Sequence, residues 1–502
     1  MKVYRVDQIK SLDSYTIETE PIPSLGLMER AARAITEWLS DRFPDTKTKF
    51  IIFCGPGNNG GDGLAVARLL DMRHYGVSVV ICEIGSSRSA DSTENYNRLP
   101  KHKQIKLTHL QPADPFPVFD KHEILVDGIF GSGFNRPLEG YWKDLVLYLN
   151  SVQTQRIAID IPSGLFADEH TPGTSIHAHF TLSFQNPKLG FLFAENHERV
   201  GQWEILDIGL SKKWIAEHDT EDNCITADMV QSFLRARKKF DHKGTYGHAL
   251  LVCGGYGKIG AAILAAKGCF RSGAGLVTIH VPRFAYPSIQ TGIPEIMIET
   301  DEDQYMFSGV KDLDPYQAIG AGCGLGTEIP ASEGIIELIG KAPIPLVLDA
   351  DALNILASNP AQLKKLPKET ILTPHPGEFR RLFGVFADQF ERHLEQKKIS
   401  KELGVYIILK GAHTCITSPD GIAYFNTTGN PGMATGGSGD VLTGMITGLI
   451  AQGYSPLEAC ICGVYIHGLA GDMAARKVGE YALIASDIAD HIGEAFQHLV
   501  KK

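Results

Sequence analysis

Paired cysteines, positive charge and long apolar runs are all in short supply here, and each scarcity removes a class of protein. Nine cysteines in 502 residues form no CxxC and no regular spacing, so neither a disulfide framework nor a cysteine-built zinc site is indicated. Cys54, Cys82 and Cys253 end Val/Ile-rich runs, where cysteine behaves as a small buried hydrophobe. Cys460 and Cys462 stand two apart on an expected helix, face different ways and make a poor metal pair. Acids outnumber Lys plus Arg by 58 to 48, a net charge of −10, which offers no attraction for nucleic acid or an anionic membrane. No uninterrupted apolar run is long enough to span a bilayer, and "MKVYRVDQIKSLD" lacks the apolar stretch of a secretory leader. A reducing, cytoplasmic setting is expected.

Glycine, by contrast, is plentiful at 52 residues, which suggests tight turns or phosphate-type loops. The length predicts two or three domains. Both halves alternate strand-like and helix-like segments, the pattern of α/β domains with largely parallel sheets. In the first half the strands are "FIIFCG", "VSVVICEIG", "EILVDGIFG", "RIAIDIPSG" and "FTLSFQ". They follow a helix with Leu27, Ala31, Ala34, Ile35 and Trp38 on one face. Polar residues 211–223 read as a linker. A second series then runs "HALLVCGG", "LVTIHVP", "AIGAGCGLG", "PLVLDADAL", "TILTPHPGE", "VYIILKGAHTCIT" and "IAYFN", its last two joined by the turn "SPDG" as a hairpin.

In open parallel sheets ligands bind beyond the carboxyl ends of the strands. "FIIFCGPGNNGGDGLAVARLL" passes from a strand through a glycine loop into a helix, whose first N–H groups face an anion. No Lys-Ser/Thr follows, so this is not a P-loop. Asp127, Asp160 and Ser163 end two further strands. Asn59, Asp127 and Ser163 are either oxygen ligands for a hard cation or, singly, helix caps and turn residues.

Together "LMERAA", "GPGNNGGDGLAVARLL", "VDGIFGSGFNRPL" and "AIDIPSG" resemble the epimerase domain of the NAD(P)H-hydrate repair enzymes, over about the first two hundred residues. The resemblance implies a Rossmann-like three-layer domain over 1–212 that interconverts the R and S forms of hydrated NADH and NADPH. It implies that Asn58, Asn59, Gly60, Gly61 and Asp62 contact the hydrate. So would the second loop: Gly131, Ser132, Gly133, Phe134, Asn135, Arg136 and Pro137. Asn59, Asp127 and Ser163 would hold potassium, and Asp160 would bind substrate as the catalytic acid/base. The same fold also serves as a non-catalytic interaction module.

In the second half, "GYGKIG" (255–260) is formally GxGxxG, but "LVTIHVPR" supplies no acid for a ribose. A tight turn with close helix packing is the plain alternative. "NPGMATGGSGDVLTG" is more telling. Gly436, Gly437 and Gly439 leave N–H groups free as an anion nest, and Asp440 opens a helix with Val441, Leu442, Met445, Ile446, Leu449 and Ile450 on its buried face. Gly444 and Gly448 permit close packing. An acid beside such a nest can take a proton from a hydroxyl while phosphate charge is held.

This GGSGD stretch resembles the anion hole and acid of the ribokinase-like superfamily. With "HKGTYGHALLVCGG", "GCGLGT", "LVLDADALN", "LTPHPGEFRRL" and "LKGAHTCI" it is most similar to the ADP/ATP-dependent NAD(P)H-hydrate dehydratases, across nearly all of 225–502. The resemblance implies a ribokinase-like α/β domain in which Ala262, Gly326, His375 and Asp440 contact the S hydrate, with Asp440 catalytic. Lys410, Gly411, Ala412, His413, Thr414 and Gly439 would hold ADP, with magnesium on its phosphates. It further implies a homo-oligomer acting on small molecules only. His375, between two prolines, reads equally as a rigid turn residue. Glu378 reads first as a surface helix acid and second as a water-mediated magnesium contact. The basic run 235–243 is expected to be solvated, with Lys243 a minor candidate ligand. The remaining alternative is a small-molecule kinase of the ribokinase type carrying an epimerase-like scaffold.

Overall fold

Runs of branched apolar residues in the first half make a sheet covered on both faces. The strand Lys49–Cys54 shows why: Phe50 to Cys54 are all buried, with no outward polar alternation. The computed structural model describes residues 1–85, 87–310 and 312–500. Its backbone divides into two units, Lys2–Thr220 with Asp388–Phe390, and Glu221–Ala387 with Met1 and the chain from Glu391 onward.

The first unit holds a seven-stranded sheet in the order Lys106–Leu110, Gly76–Cys82, Lys49–Cys54, Ile124–Gly128, Arg156–Ile159, Phe180–Phe184, Gln202–Leu206. Every neighbouring pair is parallel. Strand order reverses between Lys49–Cys54 and Ile124–Gly128, which opens a crevice at their carboxyl ends. Helix Ser24–Arg42 buries Leu27, Ala31, Ala32, Ile35 and Leu39. Its buried face is rotated from the expected one, leaving Ala34 and Trp38 half-buried. Trp38 sits at the margin so that its indole N–H can donate to Glu204 Oε2 at 2.8 Å.

The expected linker is a correction. Lys212–Glu217 is helical, and buried Trp214 packs edge-on against Tyr4 with centroids 5.3 Å apart. Asp222–Cys224 is a strand paired parallel with Ala423–Phe425. One large aromatic side chain therefore draws a mostly polar segment into the first unit, and the boundary falls at 220/221.

In the second unit the sheet runs Asp222–Cys224, Ala423–Phe425, Cys415–Thr417, Tyr406–Leu409, Ile371–Leu372, Leu346–Leu348, Ala318–Ala321, His248–Val252, Leu276–Val281, Met297–Thr300. It is parallel from Tyr406–Leu409 to Met297–Thr300. Cys415–Thr417 pairs antiparallel with both its neighbours, which forms the "SPDG" hairpin.

Helix Ser438–Ala451 lies against helix Ile259–Arg271 at backbone contact. A Cβ on Gly444 would stand 1.8 Å from Ala265 O, one on Gly448 2.6 Å from Cys269 O, and one on Gly268 2.3 Å from Val441 O. Only glycine permits that approach. Along Ser438–Ala451 the expected apolar positions are buried except Ile450, which is half-buried. Among the described residues, no helix is long and apolar enough to cross a membrane.

Candidate functional site

Each unit gathers its polar groups at the carboxyl ends of its strands. In the first, the loop after Lys49–Cys54 turns sharply into helix Asn58–Met72. A Cβ on Gly55 would lie 1.9 Å from Ile129 O, and one on Gly60 1.9 Å from Gly55 O. Gly55 lets the two loops of the crevice touch, and Gly60 lets the helix start fold back on its own loop. Between them opens a cavity of about 960 Å³, walled by Asn58, Asn59, Asp62, the loop Gly131 to Arg136, Asp160 and Lys188. Pro137, Gly60 and Gly61 do not line it; both glycines are buried behind the loop.

Asp127 and Ser163 lie outside the cavity wall and are fully buried. Ser163 donates from Oγ to Asp127 Oδ1 at 2.6 Å and from its backbone N–H to Oδ2 at 2.7 Å. Phe130 N–H donates to Ser163 Oγ at 2.8 Å, and Asn59 Nδ2 donates to Phe130 O at 2.8 Å. The three candidate cation ligands thus meet around one residue, Phe130. Burial pushes Asp127 up to about 6 against the hydrogen bonds that hold its carboxylate. Among the described residues no cationic side chain forms an ion pair with it.

Asp160 sits in a left-handed backbone conformation, φ 63°, which a non-glycine residue adopts at a cost of about 1–3 kcal/mol. Its partner was not legible in the sequence. Lys188, 1% exposed, reaches Asp160 Oδ1 at 2.5 Å and Ser183 Oγ at 2.8 Å. Asp13 and Asp62 complete the group. Burial, then the Asp160 charge, raises Asp13 to about 6 against the pull of Lys188. Asp62 is driven well above the carboxylate range by burial and by Asp160, Asp13 and Asp91. Three acids and one ammonium on a shared cavity form an environment suited to moving protons. Asp13 comes from helix Val6–Thr19, which no sequence motif marks.

In the second unit the nest forms as its glycines require. Gly437 is left-handed at φ 96°, directly before helix Ser438–Ala451. Asp440 lies in the first turn and is raised to about 6 by burial and then by Asp349; hydrogen bonding to Cys323 and the charge of Lys410 oppose the rise. Asp349, 2% exposed, organises the floor. Its Oδ1 accepts from Lys410 Nζ at 2.7 Å and its Oδ2 from Thr443 Oγ1 at 2.8 Å. Sequence reading passed over Asp349, although it ends an apolar strand just as Asp127 does. The next residue, Ala350, is held at φ 49°, so both units carry a strained backbone position beside their acids.

Lys410 is half-buried, and its desolvation alone would lower its pKa, yet Asp349 and Glu378 raise it overall. Gly439 lies against this pair; a Cβ there would stand 3.3 Å from Lys410 Nζ and 3.5 Å from Asp349 Oδ2. Gly411 and Ala412 are exposed, and His413 and Thr414 half-buried, on the loop before Cys415. His375 caps helix Pro376–Phe383: its Nδ1 accepts from Gly377 N–H at 3.0 Å and Glu378 N–H at 3.4 Å. The rigid-turn role is therefore realised, while half of the ring stays exposed.

Glu378 corrects the sequence reading. It is buried, not a surface acid, because its carboxylate closes the cap by accepting from His375 N–H at 2.8 Å and lies 4.0 Å from Lys410. Gly326 is left-handed and donates its N–H to Asp351 Oδ2 at 2.8 Å. Ala262 is fully buried on Ile259–Arg271, and a Cβ on Gly254 would come within 3.1 Å of it. Lys243 is exposed on a short turn of helix. His467, another residue the sequence did not mark, donates from Nε2 to Ser438 O at 3.0 Å and supports the nest from behind.

Comparison with known proteins divides the chain the same way. A family profile described as YjeF-related protein N-terminus matches residues 24–190, and one described as NAD(P)H-hydrate dehydratase matches 249–494. A bifunctional NAD(P)H-hydrate repair enzyme of Moorella thermoacetica is 37% identical, over 98% of this chain and 96% of its own length. Another, from Thermofilum pendens, is 33% identical over 99% and 97%. The crystal structure of a Bacillus subtilis ADP/ATP-dependent NAD(P)H-hydrate dehydratase, co-crystallized with ATP/Mg2+, is similar at a TM-score of 0.50 and 33% identity. That similarity covers 55% of this chain and 98% of the other.

Proposed function

We infer the following chemistry for a chain that belongs to the family of bifunctional NAD(P)H-hydrate repair enzymes. The first unit interconverts the R and S forms of hydrated NADH or NADPH. The second dehydrates the S form at the expense of ADP, giving NAD(P)H, AMP and phosphate. A homo-oligomer in the cytoplasm belongs to the same reading.

In the first unit Asp160 transfers the proton at the hydrated carbon, and Lys188 holds its carboxylate in place beneath the substrate. Asp13 and Asp62, both raised, return protons to the opposite face or to the departing oxygen. Asn59 spends its amide N–H on Phe130 O, so its carbonyl oxygen is the atom available as a ligand. Asn59, Asp127 and Ser163 fit a potassium ion: all are hard oxygen donors, and a single buried carboxylate lacks an ionic partner among the described residues. Such an ion would offset the burial of Asp127 and stiffen the loop Gly131 to Arg136.

In the second unit Asp440 removes the proton from the hydrate's hydroxyl, and that oxygen attacks the terminal phosphorus of ADP. AMP departs. The N–H groups at Gly437–Gly439 hold the transferred phosphate; the carbon–oxygen bond to it then breaks, the neighbouring carbon gives up a proton to solvent, and the carbon–carbon double bond re-forms. Hydroxide is a poor leaving group and phosphate a better one, which is the chemical reason to consume a nucleotide. Lys410, anchored by Asp349, neutralises phosphate charge. Magnesium would arrive on the nucleotide's phosphates and keep most of its waters, with Asp349 and Asp440 the nearby acids.

The raised Asp440 beside Lys410 and Asp349 at a helix N-terminus is the observation that carries the reading. Mixed R and S hydrate, given ADP, should be converted entirely to NADH with one AMP and one phosphate per turnover. A stable phosphorylated hydrate would instead indicate a simple kinase and overturn the dehydratase assignment. If only half the mixture were recovered, the epimerase assignment would fail.

A further inference from the structure

Three aromatic rings, two of them exposed, cluster on the second unit outside every residue so far assigned to its site. Tyr256 is 72% exposed and Tyr305 53%, while Phe284 is half-buried beside them. Tyr256 lies 5.3 Å from Phe284 and 5.5 Å from Tyr305 by ring centroid; Phe284 and Tyr305 are 6.0 Å apart. Backbone hydrogen bonds hold the group together: Arg283 N–H donates to Asp303 O at 3.2 Å and Phe284 N–H to Gln304 O at 3.1 Å. Leaving that much aromatic surface in water needs a reason, since the same rings buried would stabilise the fold.

The place of this cluster supplies one. Tyr256 belongs to the loop that follows strand His248–Val252, beside the point where strand order reverses. Its neighbours touch the site directly. A Cβ on Gly255 would meet Leu325 O at 3.1 Å and Gly324 O at 3.2 Å, so this loop rests on the one that carries Cys323 and Gly326. Lys258, two residues on, reaches Asp351 Oδ2 at 3.3 Å, the same oxygen that accepts from Gly326 N–H. Gly326, Asp351 and Lys258 are thus joined by direct contacts, and the loop bearing Tyr256 packs on the loop bearing Gly326.

The expected nucleotide loop, Lys410 to Thr414, follows strand Tyr406–Leu409. Four strand spacings separate that strand from His248–Val252, roughly 20 Å. Asp349 and Asp440 lie between. A phosphate donor on the Lys410 side must meet its acceptor from the other side, and the other side is where the rings and Lys258 stand.

We propose that Tyr256, Phe284 and Tyr305 form a stacking platform for the adenine of the hydrated dinucleotide, with Lys258 facing its pyrophosphate. The proposal rests on the dehydratase reading and extends it to the half of the substrate that does not react. Base–aromatic stacking discriminates little between bases but adds about ten- to hundred-fold in affinity per base. The platform therefore separates a dinucleotide hydrate from the smaller mononucleotide hydrate.

Both tyrosines are exposed, so their removal leaves the core intact. In the full-length chain, Y256A and Y256A/Y305A should raise the KM for hydrated NADH about ten-fold or more, while the KM for ADP stays within two-fold. Tyr256→Phe should restore the wild-type value, since it keeps the ring. Hydrated reduced nicotinamide mononucleotide, which lacks the adenosine half, should respond alike in all variants. An unchanged KM for hydrated NADH, or an equal loss with the mononucleotide, would overturn the proposal. A second measurement does not depend on turnover: photolabelling with 8-azidoadenine NADH, followed by peptide mapping. Label within 254–258, 283–286 or 303–306 supports the platform even if no dehydration is seen, which would count against the dehydratase reading alone. Label confined to the first unit or to 410–414 overturns the platform even where dehydration is intact.

Discussion

Lys188 places its ammonium 2.5 Å from Asp160 in a site where the lysine is 1% exposed. Each charge makes the burial of the other tolerable. Removing one partner of such a pair costs about 3–5 kcal/mol because the survivor is stranded. Lys188→Met should therefore destabilise the first unit by that amount in urea unfolding. The double variant with Asp160→Asn should recover a large part of the loss. Strict additivity of the two changes would show that the pair is not coupled.

Asp160→Asn alone should abolish interconversion of the R and S hydrates, by about 10²–10⁴-fold, the usual range for loss of a general acid or base. Dehydration of pure S hydrate should continue at its normal rate. Proton exchange at the hydrated carbon, followed by NMR in deuterated solvent, reads the first effect. Retention of wild-type exchange would remove Asp160 from the chemistry.

For Asp440 the sign of the pH effect is specific. Its folded-state pKa is raised to about 6, above its unfolded value, so its contribution to stability is full at acid pH and lost as pH rises through 6. Dehydration, which needs the carboxylate, should run the other way and fall below pH 6. Asp440→Asn should thus abolish dehydration yet stabilise the second unit by about 2–3 kcal/mol at neutral pH, and by little at pH 4. Unfolding midpoints of both forms at the two pH values test this. An Asn variant less stable at neutral pH would contradict it.

His467 carries the opposite dependence. Burial lowers its pKa to about 4 against its hydrogen bond to Ser438 O. Its neutral form stabilises the fold above its unfolded pKa, and that stability is lost as pH falls toward 4. His467→Gln, which keeps an N–H donor, should flatten the acid limb of the stability profile between about 6.5 and 4. An unaltered acid limb would place the acid sensitivity elsewhere.

Asp127 offers a metal test. Potassium should raise the unfolding temperature of the first unit in the native chain, and Asp127→Asn should remove that shift. Sodium at equal ionic strength is the control. Equal responses to both ions, or to neither, would count against a selective site.

Much of this was readable from residues alone, and the physical reason is that strand ends are local. Asp127, Asp160 and Asp440 each follow a run whose apolar pattern marks a strand or announce one that marks a helix, so short-range spacing finds them. Asp349 carried the same signal and was passed over. Lys188 and Asp13 carried none, because they reach the cavity only through the packing of distant segments: Lys188 from beyond Phe180–Phe184, Asp13 from an N-terminal helix. Glu378 misled for a related reason. A charged residue near a helix start is usually solvated, and its reciprocal hydrogen bonds with His375 draw it inside. The polar stretch around Trp214 hid its packing in the same way, a single aromatic outweighing its charged neighbours.

The three glycines between helices Ile259–Arg271 and Ser438–Ala451 have a mechanical consequence. Backbone pressed on backbone at Gly268, Gly444 and Gly448 leaves no side chains to re-pack, and so no soft layer in which one helix might slide over the other. The phosphate nest begins one of these helices, and the loop that bears Tyr256 leads into the second. Those two parts of the site are therefore a single rigid block with a set spacing between phosphate and dinucleotide. Any adjustment that brings donor and acceptor together must come from the other rim, where Gly411 and Ala412 stand exposed on a short hairpin.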